Sequence, residues 1–154
     1  QLQRASNAAA ALFAVALAVN PVLDKTAASL RKVYAEKGLQ LDIVADEVLW
    51  KIDEGDLYEL LGNLLDNACK WCRQRVRVTL ASDADALHLE VADDGPGVAD
   101  PQAILRRGVR ADEQVPGHGI GLAMIADIVH AYGGELAIRR SDLGGASFCV
   151  TLPA

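Results

Sequence analysis

The sequence predicts an α/β two-layer sandwich, in which a mixed, largely antiparallel sheet is covered on one face by helices. Two stretches, 56–72 and 119–132, have the apolar spacing of helices that pack on a core. Glycine-rich turns separate several of the predicted elements. The segments with strand-like patterns are 39–45, 76–81, 86–92, 135–140 and 146–152. Strands and helices mixed in this way indicate two layers around one core.

Length and composition are those of one globular domain with an appended helical segment. The chain has 154 residues, of which 51% are hydrophobic and 23% charged. Its formal net charge of −6 argues against non-specific binding to nucleic acid or to anionic lipid, so we expect no nucleic-acid partner. An anionic ligand would therefore have to be held by local hydrogen-bond donors.

The first residues predict helices that pack on protein. Because the chain opens with Gln1, we expect it to be a piece of a longer protein. The apolar run Ala8–Val19 is shorter than the ~20 residues that a spanning helix needs. Pro21 predicts a break near Val19–Asn20, giving helices over about 3–19 and 22–36 with Gly38 as a C-cap.

A seam of apolar residues at three- and four-residue steps runs through both predicted helices. Its members are Leu12, Ala16, Val19, Leu23, Thr26, Leu30 and Val33. The seam would pack either on the domain itself or on a partner helix, and its coiled-coil-like spacing favours the partner. We place the boundary between this segment, 1–37, and the remaining domain, 38–154.

The strands and the central helix follow in order. Leu39–Ala45 alternates apolar and polar residues, and Val48–Ile52 predicts a further short strand. Asp56 is the predicted N-cap of the central helix, with Glu59 at capping-box spacing. The segments 76–81 and 86–92 predict a hairpin around a short polar turn.

The central helix has an unusual polar stripe. A step of about 100° per residue puts two carboxamides, two carboxylates and one ammonium on one side. They are Glu59, Asn63, Asp66, Asn67 and Lys70, opposite Leu57, Leu60, Leu61, Leu64, Leu65, Ala68, Trp71 and Cys72. The stripe is either an amide-rich solvent face or a surface suited to a magnesium-bound phosphate chain, since amides, carboxylates and ammonium groups bind metal and phosphate oxygens.

Cysteine and histidine give weaker signals. Cys69 and Cys72 form a C-x-x-C, but no second pair completes a zinc set, so packing is favoured over redox or zinc chemistry. His88 lies in a predicted strand and His130 at the end of a predicted helix, which favours structural or surface positions.

Glycine-rich turns lie beside the central helix in the predicted fold. Asp93–Gly97 follows a strand, and Gly117–Gly121 opens a helix, where free N–H groups and the helix dipole favour an anion. The second turn lacks the Gly-Lys-Ser/Thr of a Walker A motif and the preceding βαβ unit of a Rossmann fingerprint.

The combination of motifs is more specific than any one of them. Glu59-x-x-x-Asn63-x-x-x-Asn67-x-x-Lys70 on a helix, then D-x-G-x-G at 93–97 and G-x-G-x-G at 117–121, resembles the Bergerat or GHKL fold. Gyrase-type topoisomerases, certain chaperones, sensor histidine kinases and mismatch-repair ATPases share that fold. DNACKWC, EVADDGPGV and LRKVYAEKG look most like sensor histidine kinases, and among them the PhoQ-like kinases.

The resemblance implies ATP and Mg²⁺ as cofactors. It implies that Asp93 accepts a hydrogen bond from the adenine amino group, and that Gly95 and Gly97 let the base approach. It implies that Asn63 holds Mg²⁺ and that Glu59 helps to orient the metal or a water. Independently, a buried carboxylate aimed at an exocyclic amine would reject bases that lack that donor.

The resemblance also implies phosphate contacts and a mobile ATP lid. Asn67 and Lys70 would contact phosphates, and Trp71 would flank the base. The glycines of the second turn would cradle phosphates at the hinge of the lid. The predicted nucleotide-binding set also contains Arg110, Gly117, His118, Gly119, Gly121 and Leu122.

The lid departs from the family pattern at two positions. Leu105 stands where a phenylalanine is usual, and Val115 replaces a second arginine. Arg106 and Arg107 would either compensate for the replaced arginine or be solvated side chains, and solvation is favoured for both. His118 would be a lid residue and not a catalyst.

The resemblance implies a catalytic half of a two-component sensor histidine kinase. None of the three histidines, His88, His118 and His130, begins the His-Glu/Asp-x-x-Pro pattern of a phosphoacceptor helix. We therefore expect the acceptor histidine on upstream dimerisation helices. Residues 1–37 would be the end of such a helix and a linker. A response regulator, a homodimeric parent and a cytoplasmic position below a bacterial inner membrane are further implications. The alternatives are a nucleotide-binding regulatory module without transfer and an anti-sigma-type serine kinase of the same fold.

Overall fold

The structure is a computed structural model that describes residues 15–101 and 120–154. Its regular elements alternate between strands and helices along the chain. In chain order they are β1 (Leu17–Ala18), α1 (Val19–Val33), a 3₁₀ turn (Ala35–Lys37), β2 (Gln40–Ala45), β3 (Leu49–Trp50), α2 (Glu54–Trp71), β4 (Arg75–Ser82), β5 (Ala86–Asp93), α3 (Ile120–Ala131), β6 (Glu135–Arg140) and β7 (Ala146–Pro153).

The described residues form a five-stranded sheet in the order β2-β4-β5-β7-β6. β2 pairs with β4 in parallel, because α2 crosses from one to the other, and the remaining pairs are antiparallel. The predicted hairpin is β4–β5, with Ser82 opposite Leu87. The mixed, largely antiparallel sheet and the two-layer fold class are therefore confirmed.

Alternation along the strands determines which face of the sheet becomes the core. The buried side chains are Val76, Val78 and Leu80 of β4, Leu87, Leu89 and Val91 of β5, and Phe148, Val150 and Leu152 of β7. They belong to one hydrophobic cluster with the helices. The intervening residues, such as Arg77 and His88, lie on the opposite face and are more exposed.

Helix α2 lies between α1 and α3 in the helical layer, with contacts to both. Its predicted apolar side is confirmed, because Leu57, Leu60, Leu61, Leu64, Leu65, Ala68 and Cys72 are all buried. Trp71 is the exception and is only half-buried. α3 contributes Leu122, Ile125, Ile128 and Val129 to the same core.

The start of α1 corrects the predicted N-terminal helix. Leu17–Ala18 is a strand that pairs antiparallel with Leu49–Trp50, so a helix continuing to residue 19 is wrong at its end. Residues 1–14 of that prediction lie outside the described residues. Pro21 occupies the first turn of α1 instead of breaking a longer helix, since N–H groups there have no intrahelical partner.

The apolar seam packs on the domain itself at the start of α1. Its members Val19 and Leu23 are buried in the common core and Leu30 packs against that core, whereas Val33 is 68% exposed. Asn20 also fixes the start of α1, because its side chain donates to the Asp46 carbonyl and accepts from the Val48 N–H, both at 2.9 Å. These seam residues are therefore part of the core. No helix in the described ranges has the length and hydropathy of a membrane span.

The C-terminal end of α1 and the N-terminal end of α2 differ from the sequence prediction. α1 ends at Val33, and the 3₁₀ turn that follows is the element terminated by Gly38, at φ +73°. The N-cap of α2 is Asp53 and not Asp56, since the Asp53 carboxylate accepts from the Asp56 N–H at 3.0 Å. Glu59 consequently has no capping-box position.

Asp56 instead takes part in a buried contact between α2 and the end of α3. Its side chain is 3% exposed and accepts a 2.9 Å hydrogen bond from the Tyr132 hydroxyl. The same hydroxyl accepts from the Asp53 N–H at 3.0 Å. One phenol oxygen thus satisfies a carboxylate and a backbone N–H at the start of α2 and fixes how α3 lies along it.

Replacing Tyr132 by phenylalanine should lower the free energy of unfolding by about 1–3 kcal/mol, because the buried Asp56 carboxylate and the part-buried Asp53 N–H each lose a partner. Urea unfolding at neutral pH measures the change. Tyr58→Phe, at an exposed position of α2, is the matched control and should change it little. Equal stabilities for the two variants would contradict the bridging role of Tyr132.

Candidate functional site

A buried carboxylate lies at the end of the central strand β5. Asp93 is 2% exposed, and its Oδ1 accepts from the Gly95 N–H at 2.9 Å and from the Ala146 N–H at 3.0 Å. Its carbonyl accepts from the Gly145 N–H at 3.1 Å. Because β5 and β7 are neighbours in the sheet, the turn after one and the start of the other together hold this side chain.

Two glycines allow this close approach. A Cβ on Gly145 would overlap Asp93 Oδ1, and one on Gly95 would overlap the carbonyl oxygen of Trp71. Gly97 has a φ of +80°, a conformation that side chains disfavour. The D-x-G-x-G turn therefore needs its glycines to pack against α2 and β7.

Beside Asp93 lies a small cleft that is open to solvent. Helix α2, the turn after β5 and the start of β7 meet there. The residues that line it are Asn67, Trp71, Asp93, Pro96, Gly97, Val98, Ala146 and Phe148. A flat ligand would meet apolar walls and one carboxylate.

The polar stripe of α2 continues from this cleft toward the start of α3. Asn63 lies one helical turn before Asn67, and its amide nitrogen donates to the Glu59 carbonyl at 2.7 Å. Its Oδ1 lies 3.4 Å from where a Cβ on Gly121 would stand. The structure therefore brings Asn63, Asn67, Trp71 and Asp93 to one side of the domain, with Gly121 against Asn63.

The remaining members of the stripe differ in their surroundings. Glu59 is half-buried and Lys70 is exposed. Asp66 accepts from the Tyr34 hydroxyl at 2.8 Å and so contacts the segment after α1. Leu122 is buried in the core, so a ligand contact there would come from its backbone.

Part of the predicted nucleotide-binding set lies in the segment 102–119. Arg110, Gly117, His118 and Gly119 lie outside the described residues, as do the predicted lid helix and the lid positions Leu105, Arg106, Arg107 and Val115. Their roles stay predictions.

Several residues of the cleft were not singled out from the sequence. The sequence pattern assigns Ala146 and Phe148 only to the strand 146–152, and Gly145 is not among the predicted site residues. The signal that could have found Gly145 is the pair Gly144-Gly145 directly before that strand. Nothing in the sequence alone shows that this turn approaches Asp93.

Asp94, the neighbour of Asp93, has a structural role. Its carboxylate accepts from the Arg73 N–H at 2.7 Å and the Gln74 N–H at 3.2 Å, and so ties the end of α2 to the turn after β5. Partial burial opposes its ionisation, but the backbone N–H donors lower the pKa of Asp94 overall. Two adjacent carboxylates thus have different partners.

The cysteines and described histidines belong to other parts of the molecule. Cys69 and Cys72 are buried free thiols, which fits the packing role predicted for them. Burial raises the pKa of Cys69 to about 12 and also raises that of Cys72. No metal-binding cluster of cysteine, histidine or acidic residues exists within 15–101 and 120–154. His88 and His130 are exposed, as expected for surface groups.

The site can be tested for its fit to Mg·ATP. A fixed, desolvated carboxylate between apolar walls suits an adenine ring with its exocyclic donor. The Asn63 amide oxygen beside the first turn of α3 suits a hard cation and its phosphates, since such cations take oxygen ligands. The described residues therefore fit the group.

Comparison with family models decides the assignment. Residues 52–154 match the model described as histidine kinase-, DNA gyrase B- and HSP90-like ATPase. The chain belongs to this ATPase family. The matched range begins just before α2 and contains every residue that lines the cleft.

Curated relatives narrow the assignment to sensor kinases. The chain is 45% identical over 152 residues to the two-component sensor PhoQ of Pseudomonas aeruginosa, covering 96% of this chain and 34% of that protein. It is 52% identical over 103 residues to the sensor protein kinase CarS of the same species, covering 66% of this chain and 23% of CarS. The virulence sensor histidine kinase PhoQ of Salmonella typhimurium is 39% identical over 131 residues, 83% of this chain and 27% of that protein. The chain thus spans about a quarter to a third of these relatives.

Solved structures agree with the fold. The mycobacterial sensor histidine kinase MprB has a TM-score of 0.74 at 25% identity, with 90% of this chain and 95% of that one covered. Full-length ShkA, solved with AMPPNP, has a TM-score of 0.75 at 28% identity, with 91% and 31% covered. The ATPase domain is therefore of the ATP-binding catalytic type found in sensor histidine kinases. This finding favours that prediction over the regulatory-module and serine-kinase alternatives.

Gly145→Ala should lower the free energy of unfolding by about 1–3 kcal/mol, because the new methyl group would push both Asp93 and Gly95 away from residue 145. Gly62→Ala is the control, since a Cβ there meets nothing within 4 Å, and a glycine-to-alanine change inside a helix should add about 0.5–1 kcal/mol. Urea unfolding of both variants gives the comparison. Changes of the same sign would contradict the close approach at Gly145.

The raised thiol pKa values predict unreactive cysteines. At pH 8, iodoacetamide should leave Cys69 and Cys72 of the folded chain unmodified, whereas all three cysteines should react in denaturant. Mass spectrometry identifies the modified residues. Burial favours the protonated thiol over the thiolate, so the folded state is most stable relative to the unfolded state while the thiols are protonated. This advantage is complete below the unfolded thiol pKa of about 8.5 and is lost as the pH rises toward 12. Rapid labelling of folded Cys69 at pH 8 would contradict the assignment.

Proposed function

We propose that this chain binds Mg·ATP in the described cleft and transfers the γ-phosphoryl group to a histidine on helices upstream of it. The observation that carries the proposal is the buried Asp93 carboxylate, whose Oδ1 is held by the Gly95 and Ala146 N–H groups at the wall of a cleft shared with α2. The family match and the AMPPNP complex of ShkA support ATP as the ligand.

Adenine would be recognised by Asp93 and by contact with the cleft walls. The two backbone donors fix one carboxylate oxygen, so the side chain cannot rotate away from an amine in the cleft. A base without that amine would lose its hydrogen bond to this charged group, which is worth about 1.5–3 kcal/mol. Trp71 would flank the base, and Gly97 would let it approach the backbone.

The phosphates would extend from the cleft along the polar stripe toward α3. Asn67 and Lys70 would contact them, and Gly121, in the first turn of α3, lies against Asn63. Mg²⁺, when bound through Asn63 with Glu59 nearby, would neutralise charge on the phosphate oxygens. The chain's own groups would contribute positioning and electrostatic stabilisation, which are the main requirements of phosphoryl transfer.

The phosphoryl acceptor would come from outside the described fold. His88 is on the face of the sheet opposite the helices, and His130 is at the far end of α3 from Gly121, so neither faces the cleft. The proposal therefore includes an upstream phosphoacceptor helix, with residues 1–37 as its end and linker. It also includes a homodimeric membrane sensor as the parent, this domain on the cytoplasmic side, and a response regulator as the partner that receives the phosphoryl group.

Asp93→Asn should reduce ATP affinity by at least tenfold while the domain stays folded. Asparagine keeps one oxygen for the Gly95 and Ala146 N–H groups but replaces the other by an NH₂, which repels the adenine amine. Calorimetric titration with Mg·ATP measures the affinity. Asp94→Asn is the matched control and should lower stability with affinity retained, because Asp94 holds only backbone N–H groups of the α2–β4 turn among its described side-chain contacts.

Transfer itself is tested in a longer chain that carries the upstream helices. With labelled Mg·ATP we expect acid-labile, base-stable phosphohistidine on those helices. Asn63→Ala should weaken Mg·ATP binding far more than metal-free ATP binding, because its amide oxygen is the proposed metal ligand. Tight ATP binding without any phosphohistidine would favour the regulatory-module alternative, and phosphoserine on a partner would favour the serine-kinase alternative.

A further inference from the structure

The last turn of α2, which carries Lys70 and Trp71, is held from outside by the segment that follows α1. Lys37 Nζ donates to the carbonyl of Cys69 at 2.7 Å and to that of Lys70 at 2.9 Å. The carbonyls in the last turn of a helix have no intrahelical partner. An ammonium group there also lies at the negative end of the helix dipole.

A second contact joins the same two segments. The Tyr34 hydroxyl donates to Asp66 Oδ1 at 2.8 Å, one turn before Lys70, and Lys37 Nζ lies 5.8 Å from the centre of the Tyr34 ring. We refer to Tyr34 and Lys37 together as the linker contact. It binds α2 at 66, 69 and 70, positions that interleave with Asn67 and Trp71, which line the cleft.

The opposite side of the last turn packs on the Asp93 loop. A Cβ on Gly95 would overlap the Trp71 carbonyl oxygen, so the two backbones are in contact. The last turn of α2 is therefore enclosed between the linker contact and the loop that holds the adenine-recognising carboxylate. Loss of either side would let Trp71 move relative to Asp93.

We propose that Lys37 is a positioning residue for the nucleotide site. It holds the last turn of α2 by two carbonyls, and Asn67, Lys70 and Trp71 keep their places around the cleft because of it. The role in ATP binding rests on the function proposed above. Because Lys37 ends the 3₁₀ turn that follows α1, it also makes nucleotide affinity sensitive to the position of the segment that enters the domain.

Calorimetry with Mg·ATP on the whole chain tests the proposal. Lys37→Met keeps the length of the side chain but removes the ammonium, and should weaken affinity about five- to tenfold. Lys37→Arg should stay within about twofold of the original, since a guanidinium donates to two carbonyls. Lys25→Met, at an exposed position of α1, removes the same charge and should leave affinity unchanged.

A second measurement separates positioning from general stability and needs no nucleotide. In a Trp50→Phe background, fluorescence reports Trp71 alone, and Lys37→Met should shift its emission to longer wavelength as the last turn loosens. Lys37→Arg and Lys25→Met should not. Unchanged affinity in Lys37→Met would overturn the proposal. An equal loss of affinity in Lys37→Arg, or a loss explained fully by the unfolded fraction, would also overturn it.

The two proposals fail in distinguishable ways. Should the unchanged chain bind no Mg·ATP, the proposed function is wrong, and the Trp71 emission still decides whether Lys37 positions α2. Should the unchanged chain bind Mg·ATP and Lys37→Met bind it equally well, the positioning role is wrong and the proposed function stands.

Discussion

Burial of the Asp93 carboxylate is the constraint on which the site depends. A charged group away from water is tolerated only when fixed hydrogen-bond donors surround it. Here the donors are backbone N–H groups from the turn after β5 and from the start of β7. Their approach leaves no space for a side chain on Gly95 or Gly145. The order of strands in the sheet thus places this carboxylate beside the central helix.

Helix α2 serves the core with one side and the cleft with the other. Its leucines join the cluster under the sheet, and its amides line or adjoin the cleft. Both ends are held by side chains from elsewhere, Tyr132 at the start and Lys37 at the finish. A ligand site on a helix fixed at both ends has little freedom to distort, which favours precise binding.

The sequence was sufficient for the fold class and for most strands and helices, because strand alternation and helical spacing are local properties. The hairpin, the sheet and the buried side of α2 were all predicted in this way. The N-cap was placed three residues late, because Asp53 and Asp56 are both acceptable caps and only the partner of Asp56, Tyr132, separates them. Likewise, Gly145 differs from an ordinary turn glycine only through Asp93, far away in the chain. Such contacts have no local pattern.

The pairing of β5 with β7 also affects the order in which the domain is made. Ala92 lies opposite Ser147 and Ala86 opposite Pro153, so the ribosome must synthesise the last strand before the central pair can form. Ala146, whose N–H donates to Asp93, belongs to that strand. A nascent chain lacking β7 has neither the complete sheet nor the cleft wall that Ala146 and Phe148 form. Ligand present in the cell would then stabilise finished domains and not partial ones, since it favours only molecules able to bind it.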